Sequence, residues 1–283
     1  MTEESLQFGE GGRLSAILTL ASTSTQDSQQ LPVFVILNSG MLHRVGPYRL
    51  SVQVARGLSR SGFCSLRVDL AGKGNSAPRP GLKYQDSVAT DFEEILRLVE
   101  TRFGRVPLVL VGLCSGADDA IRMTPGDARI IGLVLLDPVC ARDNGFALRD
   151  FLLKYGTIAR YFIWMKRRLG RLTMTGHRHE ETLDPLSIRN SATQTQLRSA
   201  LGAIGERRGR VLAIFTRYSL SYYNQVGQLG KVSGVNGCQQ FCTEVFWPRA
   251  EHTYPLELHR RQLIDVIRSW VERFNPSELQ VTD

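Results

Sequence analysis

The sequence has no long hydrophobic run. Its longest apolar segments, such as Val106–Val111 and Ile130–Leu136, have the length of buried strands, whereas a membrane-spanning helix needs about 18 or more apolar residues. The first twelve residues are acidic and glycine-rich rather than basic and then apolar, so we expect no signal peptide. These absences predict a protein without a transmembrane segment, and a cytoplasmic location is the expectation.

The chain also lacks a regular cysteine pattern and a cluster of metal-binding side chains. Its five cysteines are odd in number and irregularly spaced, which argues against a disulfide framework. Cys238 and Cys242 are four residues apart, but no second His or Cys pair completes a zinc site. We therefore expect this pair to be structural and predict neither a metal nor another cofactor. No motif typical of nucleic-acid binding accompanies the basic residues, so no nucleic-acid partner is expected.

Strand-like and helix-like segments alternate along the chain. Hydrophobic residues make up 42% of the 283 residues, which is enough for one α/β domain with an insertion. The alternation is typical of a mostly parallel sheet with helices on both faces. The predicted strands are Leu6–Phe8, Leu14–Leu20, Pro32–Leu37, Phe63–Val68, Val106–Val111, Ile130–Leu136, Val211–Phe215 and Phe241–Phe246. The predicted helices are Tyr48–Ser61, Asp86–Phe103, Ser115–Met123 and a last one over about Tyr254–Phe274.

The alternation is interrupted by a basic, helical segment. Between Ala141 and Arg210 there are 14 Lys plus Arg and 6 Asp plus Glu, and the difference, 14 − 6 = +8, equals the net charge of the whole chain. We predict a helical cap at 141–205, inserted between core parts at 1–140 and 206–283, above the strand ends where open α/β sheets bind ligands. The basic residues of this segment, which include Lys166–Arg168, either form a solvated helical face or attract an anionic partner. Such a partner is an acidic carrier protein, a phosphorylated or CoA-linked substrate, or an anionic membrane surface.

The most informative motif is Gly112-Leu-Cys114-Ser-Gly116, between a predicted strand and a predicted helix. It resembles the nucleophile elbow of α/β-hydrolases, Gly-x-Ser-x-Gly, in which the glycines allow a sharp, strained turn. A cysteine stands where those proteins have serine. Ser115 is the alternative nucleophile, but its neighbours at −2 and +2 are Leu113 and Ala117, so the spacing favours Cys114. The helix N-terminus that follows favours a thiolate.

Two loops earlier in the chain match the same superfamily. Residues 69–76, Asp-Leu-Ala-Gly-Lys-Gly-Asn-Ser, are similar to the Asp-x-x-Gly-x-Gly-x-Ser loop of many α/β-hydrolases. Asn38–Pro47 follows the third predicted strand, where the family has its oxyanion loop. The resemblance implies an oxyanion hole made by backbone N–H groups of about Met41 and of Ser115. Two further side chains of this loop either bind substrate or brace the loop: His43 and Arg44.

His252 is the candidate general base. It lies between the last predicted strand and the last predicted helix, a context that none of the other four histidines shares and that matches the family's catalytic-histidine loop. Its role would be to take the thiol proton from Cys114 and later to protonate the leaving group or activate water.

The sequence leaves the acid that orients His252 open. The loop after Val211–Phe215, where most relatives carry the acid, contains no carboxylate, and Ser219 stands near the expected place. Asp137, at the end of the preceding predicted strand, is the best substitute. Asp143 and Glu251 are weaker alternatives. A Cys–His pair can also work without a carboxylate, since an ion pair supplies the thiolate directly.

These motifs occur in the order found in the α/β-hydrolase superfamily, which the whole chain resembles. Several segments look more narrowly like the exosortase A system-associated hydrolases and the serine aminopeptidase-like branch: Asn38–Pro47, Gly112–Asp118, Leu136–Pro138 and Tyr222–Gln228. The resemblance implies an α/β-hydrolase fold with an inserted cap, and acyl chemistry through a covalent acyl-cysteine.

The leading expectation for the reaction is hydrolysis of a small-molecule ester or thioester. The substrate is either free or linked to a carrier protein or CoA. Acyl transfer to an alcohol or amine by the same site is the close alternative. A non-catalytic binding protein that has kept the fold is the third interpretation, because a cysteine replaces the serine and the usual acid is missing. The sequence does not indicate the oligomeric state.

Overall fold

The structure, a computed structural model, describes residues 1–22, 31–155 and 191–272. Its strands are β1 Glu3–Phe8, β2 Leu14–Thr19, β3 Val33–Ile36, β4 Ser65–Asp69, β5 Leu108–Leu113, β6 Ile130–Leu136, β7 Arg210–Thr216 and β8 Cys242–Trp247. Its α-helices are α1 Leu50–Arg60, α2 Tyr84–Phe103, α3 Ser115–Met123, α4 Phe146–Tyr155, α5 Gln194–Glu206, α6 Gln228–Val232, α7 Cys238–Phe241 and α8 Glu257–Val271.

The strands form one eight-stranded sheet in the order β1-β2-β4-β3-β5-β6-β7-β8. β1 and β2 pair antiparallel, as do β2 and β4, and every later pair is parallel. A parallel sheet is covered on both faces, so its central strands are continuous apolar runs. Along β5, Leu108 and Leu110 enter the core beneath α2, α3 and α5, while Val109 and Val111 enter the core beneath α1 and α8. This arrangement confirms the predicted α/β-hydrolase fold.

All eight predicted strands are present, with ends that differ by at most three residues. The first predicted helix begins later than expected. Tyr48 and Arg49 have φ values of 48° and 61°, which a right-handed α-helix does not accommodate, so a single 3₁₀ turn over Pro47–Arg49 precedes α1. The second predicted helix begins two residues earlier, at Tyr84.

The structure also changes the far boundary of the predicted cap at 141–205. α5 is part of the core, because its apolar side chains are fully buried on the same side of the sheet as α3. They are Leu197, Ala200, Leu201 and Ile204. An insertion can therefore extend only to the residues before Gln194. Residues 156–190, which include Lys166–Arg168, lie outside the described residues, and the cap there stays a prediction. Within the described ranges, no helix has the length and apolarity needed to cross a membrane.

The strand order reverses at β3. The chain runs from β3 to β4 on one side and returns to β5 on the other side of β3. The loops that leave β3 and β5 therefore diverge, and the crevice between them at the carboxyl ends of the strands is where open α/β sheets bind ligands. These two loops carry Asn38–Pro47 and Cys114.

Candidate active site

Cys114 is the single residue between β5 and α3. Its φ of 57° and ψ of −118° lie in a region that non-glycine residues rarely adopt, and such strain persists only where the surrounding structure imposes it. A Cβ on Gly112 would overlap the backbone of Gly116, and a Cβ on Gly116 would overlap the carbonyl of Asn38. Both flanking glycines are thus required by close backbone packing. The thiol is left half-buried at the first turn of α3.

Asp137 follows β6, the parallel neighbour of β5, and is fully buried. Its Oδ2 lies 2.7 Å from Nδ1 of His252. Thr216, at the end of β7, donates its backbone N–H to Oδ1 at 2.6 Å and its hydroxyl to Oδ2 at 2.7 Å. The carboxylate therefore has hydrogen-bond donors on both oxygens, which compensates for its complete burial and fixes its orientation toward the imidazole.

His252 joins Asp137 to Cys114. Because Nδ1 of His252 is hydrogen-bonded to Asp137, the other ring nitrogen, Nε2, is the one available for the hydrogen bond between His252 and Cys114. Burial by itself lowers the pKa of His252, but hydrogen bonds to Asp137 and Cys114, and the charges of those groups, outweigh it and raise the pKa to about 9. The site therefore favours an imidazolium at neutral pH. The structure brings these three side chains into one hydrogen-bonded series.

The other acid candidates lie elsewhere. Asp143 is paired with the guanidinium of Arg149. Glu251 precedes His252 but has an exposed side chain. The hydroxyl of Ser219 donates at 2.8 Å to the backbone carbonyl of Thr216. Among the described contacts, none of these three side chains is hydrogen-bonded to the imidazole, so Asp137 alone has the geometry of an orienting acid.

The loop after β3 lies directly against the elbow. The backbone N–H of Gly40 donates to Oγ of Ser115 at 2.7 Å. The N–H of Met41 has no hydrogen-bond partner in the part of the chain that the structure describes. Ser115 is the first residue of α3, and the N–H groups of a first helical turn have no carbonyl acceptor within the helix. The two backbone N–H groups expected to form an oxyanion hole therefore make no hydrogen bond within the described residues, and their role stays a prediction.

The sequence model of the serine aminopeptidase, S33 family matches residues 30–201, which is more than half of the chain. The chain belongs to this family of α/β hydrolases. No curated protein has a matching sequence. The narrower resemblance to exosortase A system-associated hydrolases is not tested by the family match and stays a prediction.

Solved structures share the fold of this S33 family member over nearly its whole length. The protein Est1E of Butyrivibrio proteoclasticus is 14% identical with a TM-score of 0.56, and the match covers 95% of this chain and 97% of that one. An esterase of Pyrococcus furiosus is 13% identical with a TM-score of 0.58, covering 96% and 91%. An esterase domain of a Rhodothermus marinus protein is 13% identical with a TM-score of 0.53, covering 96% and 98%. At such identities the likeness concerns the fold.

In this S33 family member, the buried carboxylate of Asp69 organises the loop after β3. It accepts hydrogen bonds from the backbone N–H of Arg44 at 2.6 Å, from Nδ2 of Asn38 at 2.9 Å and from the backbone N–H of Asn75 at 3.1 Å. It is also paired with the buried guanidinium of Arg44. These contacts of Arg44 support the second of its two predicted roles, bracing the loop, and its contact with substrate stays a prediction. His43 has Nε2 3.5 Å from the same carboxylate and a 37% exposed side chain, so its contact with substrate stays a prediction.

Sequence reasoning missed one residue at the end of β7 and one in the loop that follows it. Thr216 holds Asp137, as described above. Tyr218 stacks on His252, with ring centroids 4.1 Å apart and ring planes 21° apart. The one signal in the sequence was the absence of a carboxylate from this loop, which does not say what replaces it.

No metal centre is apparent among residues 1–22, 31–155 and 191–272, where no three His, Cys, Asp or Glu side chains are grouped so that they could hold an ion. Cys238 and Cys242, the pair that the sequence predicts to be structural, are both buried and are hydrogen-bonded to each other.

Proposed function

We propose that the chain hydrolyses carboxylic esters or thioesters through a covalent acyl-cysteine at Cys114. The observation that supports this most is the hydrogen-bonded series Cys114–His252–Asp137, held at the carboxyl ends of the sheet by a strained elbow. A buried structural cysteine has no need of the strained backbone or of a buried, charge-paired histidine. A nucleophile with an adjacent base, itself oriented by a third group, is the arrangement that nucleophilic catalysis requires.

Acylation follows from the contacts. The sulfur of Cys114 attacks the acyl carbon while His252 holds the thiol proton, and the carbonyl oxygen becomes an oxyanion. The N–H groups of Met41 and Ser115 are the donors proposed to stabilise that charge. When the carbonyl re-forms, the bond to the alkoxide or thiolate breaks, and the imidazolium gives that leaving group its proton. The products are the acyl-cysteine and a free alcohol or thiol.

Deacylation uses the same groups in reverse. His252 takes a proton from water, the hydroxide equivalent attacks the acyl carbon, and the sulfur leaves with the proton returned by the imidazolium. The carboxylic acid is released and the thiol is restored. If an alcohol or amine replaces water in this step, the same site performs acyl transfer. Transfer is the alternative outcome, favoured by a thiol nucleophile because exchanging one thioester for another is nearly isoenergetic.

The raised pKa of His252 supports a resting thiolate–imidazolium pair. At neutral pH an imidazole with a pKa of about 9 carries the proton that the leaving group will need, and the thiolate is the form of a cysteine that reacts. A carrier-protein- or CoA-linked thioester is the finer form of the proposal, motivated by the basic composition of 141–210. Reversing the charges of Lys166–Arg168 should then remove the salt dependence of the rate, and unchanged kinetics would contradict the linkage.

The proposal is tested by incubating the protein with short and long acyl esters and thioesters and measuring its intact mass. We expect an acyl-sized mass increase that is absent from Cys114→Ala. The matched control is Cys64→Ala, since the Cys64 side chain is half-buried like that of Cys114, and this variant should acylate normally. Free acid in the supernatant indicates hydrolysis, and a new ester or amide in the presence of an alcohol or amine indicates transfer. No adduct and no turnover across the panel would leave the non-catalytic binding protein as the interpretation.

A further inference from the structure

The loop after β7 contacts the candidate site at three points. The end of the strand supplies Thr216, which donates two hydrogen bonds to the carboxylate of Asp137. The backbone N–H of Arg217 donates at 2.9 Å to the carbonyl of Ala250, two residues before His252. The ring of Tyr218 then lies nearly parallel to the imidazole. This segment is therefore docked on the acid, on the backbone of the histidine loop and on the base itself.

The contacts close a cycle. The hydroxyl of Thr216 accepts a hydrogen bond from the backbone N–H of Tyr218 at 3.3 Å and donates to Asp137. Asp137 holds Nδ1 of His252, and His252 is covered by Tyr218. A hydrogen bond at Nδ1 fixes where the ring nitrogen lies but leaves rotation about the Nδ1···Oδ2 direction. A parallel aromatic ring restricts that rotation, because the imidazole plane must stay parallel to the phenol plane to keep the contact.

We infer that Tyr218 is a positioning residue for His252: its stacked ring keeps the imidazole plane aimed at Cys114 and stabilises the protonated form of the base. This inference rests on the proposed function for its catalytic consequence, though the stacking itself does not. A cation over an aromatic face is stabilised more when the pair is desolvated than when it is exposed. The imidazolium here is mostly buried, with 20% of its side chain exposed.

Other groups face His252 and must be separated from the effect of Tyr218. Asp137 faces it from the end of β6 and Cys114 from the elbow, and both raise the pKa of His252. The phenol of Tyr254 is fully buried near Asp137, and burial and then that carboxylate's charge raise the pKa of Tyr254 well above its ordinary value, so it stays neutral. Tyr218 is thus the described neighbour whose removal changes the imidazole's surroundings without changing a formal charge.

The experiment compares Tyr218→Phe, which keeps the ring, with Tyr218→Leu, which keeps an apolar cover without a π-face. The imidazole of His252 is titrated by NMR in each protein, with His252→Gln to assign its signal. In Tyr218→Leu we expect the pKa of His252 to fall by about one unit and kcat to fall about tenfold, with KM for a thioester changed less than about twofold. Tyr218→Phe should match the wild type in all three. Tyr48→Leu, the same exchange at an exposed tyrosine that lies against Arg260, is the control.

Each outcome bears on one proposal. An unshifted titration and unchanged kcat in Tyr218→Leu overturn the positioning role. Equal losses in the Phe and Leu variants also overturn it, because the hydroxyl and not the ring would then carry the effect. If the wild-type chain forms no acyl adduct at Cys114, the proposed function fails, while a pKa shift confined to Tyr218→Leu still supports the stacking. If the adduct forms but the titration does not move, only the inference about Tyr218 fails.

Discussion

Replacing Asp137 by Asn tests how the imidazole is oriented. Asparagine is nearly isosteric with aspartate and tolerates the left-handed backbone at this position, where φ is 50°, so the fold should be retained. Its amide has one acceptor oxygen, whereas the carboxylate accepts from Thr216 at both oxygens and from His252. With the amide oxygen on the N–H of Thr216, the NH₂ group faces Nδ1 of His252. The proton of a neutral imidazole is then placed on Nε2, where it blocks transfer from Cys114.

The expected loss of kcat/KM in Asp137→Asn combines two effects, the loss of the carboxylate charge and the change of imidazole tautomer. Burial lowers the pKa of His252, and the value of about 9 is reached only with its hydrogen-bonded partners. Loss of the carboxylate should lower that pKa by about 2 units, which corresponds to about 3 kcal/mol of imidazolium stabilisation and about a hundredfold in rate. The wrong tautomer costs about 10⁴-fold in the serine-protease triad. We therefore expect kcat/KM of Asp137→Asn to fall by about 10² to 10⁴.

The assay is the rate of thioester hydrolysis from about pH 5 to about pH 10. The wild type should lose activity as pH rises through about 9, the pKa of His252, because the imidazolium that protonates the leaving group is then lost. In Asp137→Asn the pKa of His252 is lower, so the same alkaline loss should begin as pH rises through about 7. Asp143→Asn and Glu251→Gln, the same chemical change at the rival acids, should stay within about twofold of the wild type. An Asp137→Asn protein with an unmoved pH profile and less than a tenfold loss would refute the reasoning, as would a comparable loss in Glu251→Gln.

Three further results are expected. Gly112→Ala should lower the free energy of unfolding in urea by about 1–3 kcal/mol because its Cβ overlaps backbone atoms, whereas Gly126→Ala, in open space, should be nearly neutral; equal effects would contradict the packing argument. Ser115→Ala removes the acceptor for the N–H of Gly40 and should lower kcat about tenfold with little change in KM; a change confined to KM would contradict a role in holding the oxyanion loop. The raised pKa of His252, about 9 against 6.5, should contribute on the order of 3 kcal/mol to the free energy of unfolding. This contribution is complete below about pH 6.5 and is lost as pH rises through about 9. The urea stabilities of wild type and His252→Gln should therefore converge above that pH, and a difference that does not narrow would contradict the raised pKa.

The parts of the fold and site that were predictable are those specified by local rules. Gly112 and Gly116 predict the elbow because the turn itself excludes a Cβ at both positions. The apolar runs predict the parallel strands, because burial on both faces leaves no polar position along them. His252 was found from its place between the last strand and the last helix.

The remaining features depend on contacts between distant segments. α5 was assigned to the cap because its segment is basic, and only its packing beneath the sheet shows that it belongs to the core. The buried pairing of Arg44 with Asp69 joins residues 25 positions apart, and a charged residue in a loop gives no local sign of such burial. Tyr218 and His252 are separate in sequence and meet only because β7 and β8 are parallel neighbours.

The ends of β6 and β7 lie within one hydrogen bond of each other, through Asp137 and Thr216. A carboxylate on either strand end would therefore reach nearly the same point in space. A lineage could pass from one arrangement to the other through an ancestor that carried both carboxylates, without an inactive intermediate. In such a history the acid changes its place in the sequence while the imidazole keeps a carboxylate partner. The end of β7, no longer needed for the acid, is then available for the hydroxyl of Thr216 and the ring of Tyr218.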